Sequence, residues 1–390
     1  MKIVEFDIIP VYVNLRRSYR SSRVQEGVGI RNIIIRLVTN TGLVGWGESC
    51  GLADPKSIAD ALFAMRPFVI GRNPWDTEAI ARDVYRRGLW DYRLSTGNFA
   101  FAGVDMALWD LCGKDCGKPL YQLFGGAVRE EVDYFFFLAP GSSEEIVEQC
   151  RQGVAEGYTC YYLKVGVDIA AEEAMLRATR EAVGPRAKLR VDANEAWSLP
   201  EAVQILNRWN ELFELDFAEA PVRAFPEHIM QTLRRLTPVA LCANEGLGSE
   251  AEVMRTIAAQ STDVLCFSSY WVGTLRRFQT LAHLADLHGI GVCKHTHGEF
   301  GIGAAAAHHL LLTLPNMVDG SQQTATIMLD DILTEELPIA SAPRWGRIDR
   351  PGLGVEVDAE KLRHMNELYN REGQFLAYNQ QSAVAAACES

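Results

Sequence analysis

The sequence lacks the features that mark nucleic-acid-binding and membrane proteins. It contains no lysine- and arginine-rich run that would offset its overall charge, since 50 acidic against 38 basic side chains leave a net charge of -12. A chain so acidic is poorly suited to bind nucleic acid. The opening stretch MKIVEFDIIPVYV is interrupted by Glu5, Asp7 and Pro10, so it is unlike a signal peptide or a membrane span. We therefore expect a cytoplasmic protein with no nucleic-acid or membrane partner.

Paired cysteines and phosphate-binding loops are also missing. The nine cysteines are dispersed, and Cys112 and Cys116 in CGKDC have no second pair that would complete a zinc site. We expect reduced thiols. The stretch VDYFFFLAPGSSEE has no GxGxxG motif after its apolar run, which argues against a dinucleotide-binding sheet. With 48% hydrophobic and 23% charged residues among 390, the chain has the composition of a soluble globular protein.

The first third of the chain predicts an α+β domain. Apolar and polar residues alternate in RNIIIRLVTN and LVGWGES, and Asn40-Thr41-Gly42 between them predicts the turn of a hairpin. Helical patterns follow in SIADALFAM, TEAIARDVYRR and FAFAGVDMALWDLCGKDC. Strands followed by helices are typical of an α+β arrangement. The glycines of LFGGAV, residues 123–128, mark its end, so we assign residues 1–127 to this domain.

From residue 128 onward, short apolar runs alternate with helical patterns. The runs are VDYFFFLA, CYYLKVG, KLRVDANEAW, FELDFAEAP, VALCANE, DVLCFSS, GVCKHTH and, more weakly, NMVDG. The polar residues that end them recur about every 25 residues, which is the length of a strand, a helix and two loops. Eight such units predict a closed (β/α)8 barrel over residues 128–325, with a doubly wound open sheet as the alternative.

In such a barrel the carboxyl ends of the strands meet at one pocket. The polar residues at these ends are Lys164, Asp192, Glu219, Glu245 with Asn244 beside it, Ser268, His295 and Asp319. Three successive strands thus deliver an acid each, and crowded anions raise one another's pKa. Such carboxylates can simply cap the following helices, but a divalent cation explains all three together. Oxygen ligands favour Mg²⁺.

Two bases flank these acids. Lys164 ends the strand before them, and His295 ends the strand two units after them. A lysine near a cation and an imidazole can both act as general bases. The arrangement suits removal of a proton α to a carboxylate, with the metal ion stabilising the enediolate that forms.

Several motifs carry a resemblance that runs nearly end to end. They are TGLVGWGES, GVDMALWDLCGKDCGKPLYQLFGG, YLKVG, VDANEAW, AEAP, ANEGL, HGEFGIGAAAAHHL and PGLGVEVD. With these motifs the chain resembles the enolase superfamily, in the group around mandelate racemase and muconate lactonizing enzyme. The resemblance implies a modified (β/α)8 TIM barrel with an N-terminal α+β capping domain, which residues 326–390 complete. It also implies one Mg²⁺ ion, α-proton abstraction from a small-molecule carboxylate substrate, and a homo-oligomer.

The resemblance assigns roles residue by residue. Lys164 matches the second lysine of the family's Lys-x-Lys motif, and Tyr162 stands in place of the first. Asp192 and Glu219 match the first two metal ligands. The third is either Asn244 or Glu245, and we favour Glu245 because a carboxylate binds Mg²⁺ more tightly than an amide.

Other positions depart from the family or contribute less directly. Ser268 stands where the racemase-like branch has an aspartate that orients its histidine and where the lactonizing branch has a lysine. His295 therefore needs another partner, and the candidates are Glu299, Asp319 and His297. Further residues are expected to bind substrate or support the site, namely Tyr162, Asn194, Arg20 and Arg23. The two arginines belong, with Arg16, to a short basic run. The tryptophans, including Trp271, are expected mainly in the core.

These residues predict a Mg²⁺-dependent enzyme that dehydrates a sugar acid or a related hydroxy acid. The alternative is a racemase or epimerase of a 2-hydroxy or amino-acid-derived carboxylate, in which Lys164 and His295 work on opposite faces. A non-catalytic carboxylate-binding protein on the same scaffold is a further alternative, against which the intact set of bases and acids argues.

Overall fold

The computed structural model of the protein describes residues 1–19, 27–51, 54–87 and 95–373. The strands are β1 Ile3–Tyr19, β2 Gly27–Thr39, β3 Val44–Cys50, β4 Glu131–Asp133, β5 Phe136–Leu138, β6 Cys160–Lys164, β7 Lys188–Asp192, β8 Phe217–Glu219, β9 Leu241–Ala243, β10 Val264–Phe267, β11 Gly291–Lys294 and β12 Arg344–Gly346. The helices are α1 Pro55–Val69, α2 Thr77–Arg87, α3 Ser95–Cys116, α4 Leu120–Leu123, α5 Ser143–Ala155, α6 Ile169–Val183, α7 Leu199–Phe213, α8 His228–Leu236, α9 Glu250–Ala259, α10 Ser269–Val272, α11 Leu275–Leu287, α12 Gly301–Leu311 and α13 Ala359–Arg371, with 3₁₀ turns at Glu245–Leu247 and Pro338–Ala340.

The N-terminal part is an antiparallel sheet of β1, β2 and β3 covered by helices. The predicted hairpin is confirmed, since β2 pairs with β3 across the turn at residues 40–42. Helix α3 packs directly on β3, where two glycines allow the backbones to touch. A Cβ on Gly47 would lie 1.8 Å from the Gly103 carbonyl oxygen, so any side chain there would force the helix off the sheet.

The second part is a parallel sheet of seven strands in the order β11-β10-β9-β8-β7-β6-β5. An eighth strand was expected from the run NMVDG. The structure instead gives that segment isolated parallel bridges, Val292 with Met317 at one edge and Tyr134 with Ser321 at the other. The segment therefore spans the gap between the two edge strands with few ladder hydrogen bonds. The result is the modified barrel that the sequence predicted, with an irregular eighth position.

Local sequence signals place the barrel helices. A capping box begins α5, where Ser142 accepts a hydrogen bond from the Glu145 amide and Glu145 bonds back to Ser142. The side chain of Asp168 caps α6 in the same position. Both helices then bury apolar residues such as Ile146 of α5 and Leu176 of α6, and the two caps fix where their βα loops end.

The C-terminal stretch returns to the N-terminal sheet. Helix α13 packs on β1, and the Asn366 side chain donates a hydrogen bond of 2.7 Å to the Pro10 carbonyl. Strand β12 pairs antiparallel with β4. Across the described ranges, every helix is too short or too polar to cross a bilayer.

Candidate active site

The last residues of three neighbouring strands stand side by side at one end of the barrel. In the parallel register Lys164 of β6 pairs with Asp192 of β7, and Asp192 pairs with Glu219 of β8. Both carboxylates are completely buried. The strand ends thus bring a lysine and two acids into one small space, as the sequence predicted.

Asp192 is the centre of this group. Its Oδ2 accepts hydrogen bonds from the Tyr162 hydroxyl at 2.6 Å and from the Lys164 ammonium, which forms an ion pair with it. Its Oδ1 accepts a hydrogen bond of 2.8 Å from the backbone amide of Asn194. Tyr162, two residues before Lys164 on the same face of β6, thus reaches the same carboxylate.

Asn194 links Asp192 to the next acid. The residue has a φ of 45°, a left-handed conformation that asparagine tolerates, and this turns its side chain back over the strand ends. Its Nδ2 donates to Glu245 Oε1 at 2.8 Å and to Asp192 Oδ2 at 3.2 Å, and its Oδ1 accepts from Lys164 at 3.1 Å. Glu245 therefore lies within one hydrogen-bonded residue of Asp192.

Asn244 faces a different neighbour. Its Nδ2 donates a hydrogen bond of 2.8 Å to the Cys266 carbonyl on β10, and the side chain is buried. This bond holds the end of β9 to the end of β10. Of the two candidates for a third ligand, Glu245 shares a hydrogen-bond partner with Asp192, whereas Asn244 is bonded to the sheet.

The buried negative charge of the site favours a bound cation. Glu219 Oε2 accepts a hydrogen bond of 2.8 Å from Gln322, whereas its buried Oε1 has no hydrogen-bond partner within the described parts of the chain. Burial first, and then the neighbouring Asp192, raise the pKa of Glu219 well above its ordinary value. The Lys164 ammonium neutralises only part of this charge. These carboxylates therefore fit a hard divalent cation.

His295 follows β11 directly and contacts a second histidine. Its Nδ1 lies 3.4 Å from His297 Nε2, and the same His297 nitrogen lies 2.8 Å from the Ser268 hydroxyl, which follows β10. Burial and the neighbouring His297 and Lys164 lower the pKa of His295 well below its ordinary value. The structure thus joins Ser268, His297 and His295 in one cluster.

The two other candidate partners of His295 lie elsewhere. Glu299 accepts from the buried ammonium of Lys294 at 2.8 Å and from the His297 amide at 3.0 Å. Burial raises the pKa of Glu299, but Lys294, His297 and the Thr296 hydroxyl together lower it more, so its net pKa is below the ordinary value.

Asp319 is not brought to the strand ends where the sequence placed it. It is half-exposed and pairs with Lys188, the first residue of β7, at 3.6 Å, so it lies at the opposite end of the barrel. The irregular eighth segment reaches Asp319 between its bridged residues Met317 and Ser321, and it comes level with the end of β11 only at Gln322, whose backbone amide donates to the Lys294 carbonyl at 3.1 Å. The side chain that it sends to the carboxylates is that of Gln322, three residues later.

Aromatic rings surround the histidines. The Trp271 ring stacks on His295 with centroids 4.9 Å apart and also meets His297 edge-on at 5.2 Å. Phe99, from α3 of the N-terminal part, meets His297 at 5.0 Å. Trp271, which the sequence assigned to the core, is thus a wall of the site. The contact from Phe99 shows that both parts of the chain shape the histidine cluster.

The predicted basic run is only partly described. The guanidinium of Arg16 donates from Nε to the Met328 carbonyl at 2.7 Å, which ties the end of β1 to the segment after the barrel. Arg20 and Arg23 lie outside the described residues.

Helix α12, which follows the histidine loop, begins against one buried and one partly buried carboxylate. Glu48 of β3 accepts from the backbone amides of Phe300 at 2.8 Å and Gly303 at 2.7 Å. Asp331, from the C-terminal stretch, accepts from the Gly301 amide at 3.1 Å. Burial raises the pKa of Glu48 to about 8, against the lowering effect of the N–H groups that it accepts from.

Sequence reasoning missed Gln322 and the ion pair of Lys294 with Glu299. Gln322 follows an apolar run too weak to be identified as a strand. Its height along the barrel axis therefore could not be predicted from the spacing of the strands. Lys294 directly precedes the histidine that attracted attention. The polar tract SQQTAT after NMVDG was the one available signal for Gln322.

Known proteins match this chain over most of its length. Residues 145–361 match the family model described as enolase C-terminal domain-like, and residues 22–125 match that of the mandelate racemase / muconate lactonizing enzyme N-terminal domain. The fold and these matches define an enzyme of the enolase superfamily. Within it, the chain belongs to the mandelate racemase and muconate lactonizing enzyme family.

Individual relatives differ in their reactions. An N-succinyl-L-Arg/Lys racemase of Bacillus cereus is 25% identical over 94% of this chain and 98% of its own length. A cis-3-hydroxy-L-proline dehydratase of Roseibium aggregatum is 27% identical over 91% of this chain and 96% of its own. A crystal structure of an enolase from Streptomyces coelicolor, described as a putative sugar isomerase, has a TM-score of 0.86 at 31% identity, covering 96% of this chain and 99% of that one. Members of the superfamily generally use Mg²⁺.

Proposed function

We propose that this enzyme removes the proton α to the carboxylate of a small acid and dehydrates a sugar acid or a related hydroxy acid. The observation that carries the proposal is the order of groups around the sheet. Lys164 on β6 and His295 after β11 flank strands β7, β8 and β9, whose ends supply the acids. A substrate carboxylate held at the acids by a cation would present its α-carbon between the two flanking groups.

Asp192 and Glu219 would hold the Mg²⁺ ion together with a third ligand. Glu245 is the better candidate, because Asn194 already holds it beside Asp192 and because it carries a full charge. Bound Mg²⁺ would neutralise the substrate carboxylate and the negative charge that develops when the α-proton leaves. Gln322 holds one oxygen of Glu219 and thereby orients the other.

His295 fits the role of the base that takes the α-proton. Its described hydrogen bond is to another imidazole, and burial favours its neutral form. Once it has taken the proton, the imidazolium with its lowered pKa is a strong acid. It can return the same proton to the departing β-hydroxyl, which leaves as water, so the elimination balances without another proton donor.

Lys164 would act from the other flank. Its ammonium, held by Asp192 and Asn194, faces the substrate carboxylate and the charge that develops on it. Ser268 and His297 would position His295, because the Ser268 hydroxyl holds the His297 nitrogen that faces the His295 ring. They replace the aspartate that this site lacks.

A racemase or epimerase is the second candidate. It is favoured by the same flanking positions, since Lys164 would deliver a proton to the face opposite His295. Substrates would then be 2-hydroxy or amino-acid-derived carboxylates. The relative named as an N-succinyl-L-Arg/Lys racemase suggests the second of these classes.

Reaction in deuterium oxide separates the two candidates. The purified protein with Mg²⁺ is incubated with a panel of sugar acids and N-acyl amino acids and followed by proton nuclear magnetic resonance. We expect a sugar or hydroxy acid to lose water and form a 2-oxo acid. Deuterium at the α-carbon with inversion and no loss of water would instead establish the racemase and overturn the dehydratase.

A further inference from the structure

Three cysteines lie inside the barrel beside the carboxylates, on consecutive strands. Cys242 of β9 is paired in register with Glu219, and Cys266 of β10 is paired with Cys293 of β11. All three thiols are completely buried. Their apolar neighbours in this cluster are Phe217 and Val264. None of them has a part in the proposed reaction.

Two of these thiols lie close enough to Glu219 for all three side chains to reach one metal ion. A carboxylate oxygen of Glu219 and the Sγ atoms of Cys242 and Cys266 all lie within 4.8 Å of one another. Ligands about 2.3 Å from a tetrahedral zinc ion are separated by roughly 3.8 Å, so small side-chain rotations close the group around an ion. Independently, the buried Glu219 Oε1 has no hydrogen-bond partner among the described residues.

We propose that Glu219, Cys242 and Cys266 bind a thiophilic divalent cation such as Cd²⁺ or Zn²⁺. Thiolate sulfur prefers these softer ions, whereas the oxygen-only group around Asp192 prefers Mg²⁺. Binding forms two metal–sulfur bonds in place of two S–H bonds, and both protons leave to solvent with no change of oxidation state.

Glu219 is common to both sites, so the two ions compete. Cys242 is paired in register with Glu219, so the thiols adjoin the proposed Mg²⁺ ligands. A soft cation would hold Glu219 towards the thiols and away from Asp192. This competition rests on the proposed role of Glu219 in Mg²⁺ binding, whereas thiolate binding does not.

A buried positive charge lies beside the third thiol of the cluster, that of Cys293. The guanidinium of Arg190 donates to the Gly320 carbonyl at 2.7 Å, and the same carbonyl accepts from Cys293 Sγ at 3.8 Å. Arg190 also lies over the Phe217 ring, 4.2 Å from its centroid, in the floor of the cluster. The third thiol is thus held between this charge and the two proposed ligands.

Titration with Cd²⁺ tests the site, because each cadmium–thiolate bond absorbs in the near ultraviolet. The full chain carries Cys116→Ser and Cys388→Ser as background, since Cys116 is exposed and Cys388 lies outside the described residues. On it, Cys242 and Cys266 are each changed to serine and, separately, to alanine. Cys150→Ser is the matched control, a buried thiol that packs in a different cluster.

We expect one Cd²⁺ per chain with a thiolate band that Cys150→Ser keeps and that all four site variants lose. Circular dichroism establishes which variants are folded, and one folded variant at each position suffices. A band that survives at either position, or Cd²⁺ binding without a thiolate band, would overturn the site. If excess Mg²⁺ leaves the apparent Cd²⁺ affinity unchanged, the two ions do not share Glu219, even if the thiolate site is correct. The proposed reaction is tested separately, by the products that it forms.

Discussion

At the scale of single residues, the distinctive feature is a histidine oriented by another histidine. Ser268 holds His297, and His297 faces His295, so the described hydrogen-bond partner of His295 is an imidazole in place of a carboxylate. Because burial lowers the pKa of His295, we expect the acidic limb of kcat/KM to lie below the ordinary imidazole value of 6.5. Protonation removes the base, so the rate falls as the pH drops through this limb.

Ser268→Asp tests this arrangement. A carboxylate against His297 Nε2 would favour the charged form of the histidine pair, which moves the acidic limb of kcat/KM to higher pH. Ser268→Asn is the neutral control of similar size, and we expect it to leave the limb in place. If the acidic limb of kcat/KM lies at the same pH in the two variants, position 268 does not act through the histidines.

Replacing the two flanking groups tests their roles directly. We expect Lys164→Met and His295→Asn each to lower kcat at least about 100-fold, the usual contribution of a positioned acid or base. The near-ultraviolet circular dichroism spectrum should stay unchanged in both. If either variant keeps near-full activity on the identified substrate, the role assigned to the replaced residue is wrong.

At the scale of elements, the start of α12 is the joint between the two parts of the chain. Glu48→Ala would leave the amides of Phe300 and Gly303 buried without an acceptor. Each orphaned donor costs about 1–3 kcal/mol, so we expect the free energy of unfolding in urea to fall by about 3 kcal/mol.

The matched control is Glu5→Ala in the same sheet. Glu5 is half-exposed and pairs with Arg36 on the surface, an interaction worth about 0–1 kcal/mol. If the two variants unfold at the same urea concentration, Glu48 does not cap the helix as described.

The elements that sequence could predict are those with a strong period. Strands β5 to β11 have apolar runs and regular spacing, so Lys164, Asp192, Glu219 and His295 could be placed at strand ends. The eighth segment has only bridges, so its register is set by contacts with both edge strands rather than by its own residues. Counting by spacing alone therefore selected Asp319 in place of Gln322. The ring of Trp271 was likewise hidden, because core and site aromatics look alike in a sequence.

At the scale of the whole molecule, Mg²⁺ should stabilise the fold. An ion that binds only the native state at 100 times its Kd adds about 2.7 kcal/mol to the free energy of unfolding. We expect this gain in the unmodified chain and its loss in Asp192→Asn and Glu219→Gln, measured by thermal unfolding with and without Mg²⁺.

The same measurement identifies the third ligand. We expect Glu245→Gln to weaken the Mg²⁺ effect more than Asn244→Ala, since the Asn244 amide is bonded to the Cys266 carbonyl. The reverse order would assign the metal to Asn244.

Acid stability should depend on a buried histidine of α12, His308. His308 stacks on Trp345, its Nδ1 lies 2.9 Å from the Tyr134 hydroxyl, and its Nε2 lies 2.8 Å from the Gly346 carbonyl, which suits a neutral ring. Burial lowers the pKa of His308 to about 3. The unfolded chain takes up this proton near pH 6.5 and the native chain does not, so stability is full above pH 6.5 and falls as the pH drops towards 3.

His308→Gln should remove this contribution. Relative to the variant, the unmodified chain should lose about 1.4 kcal/mol of unfolding free energy per pH unit below 6.5. The exposed His364 provides the control, since His364→Gln should leave the slope unchanged. Parallel stability curves for His308→Gln and the unmodified chain would contradict the assignment.

The helix that follows the histidine loop is held by acids from two distant stretches, Glu48 near the start of the chain and Asp331 after the barrel. A nascent chain that has finished its barrel strands but has not yet reached Asp331 still lacks one of these anchors. Catalytic competence should therefore arise late in biosynthesis. Partly made or proteolytically trimmed chains would then be inert, and would not process substrate at a half-built site.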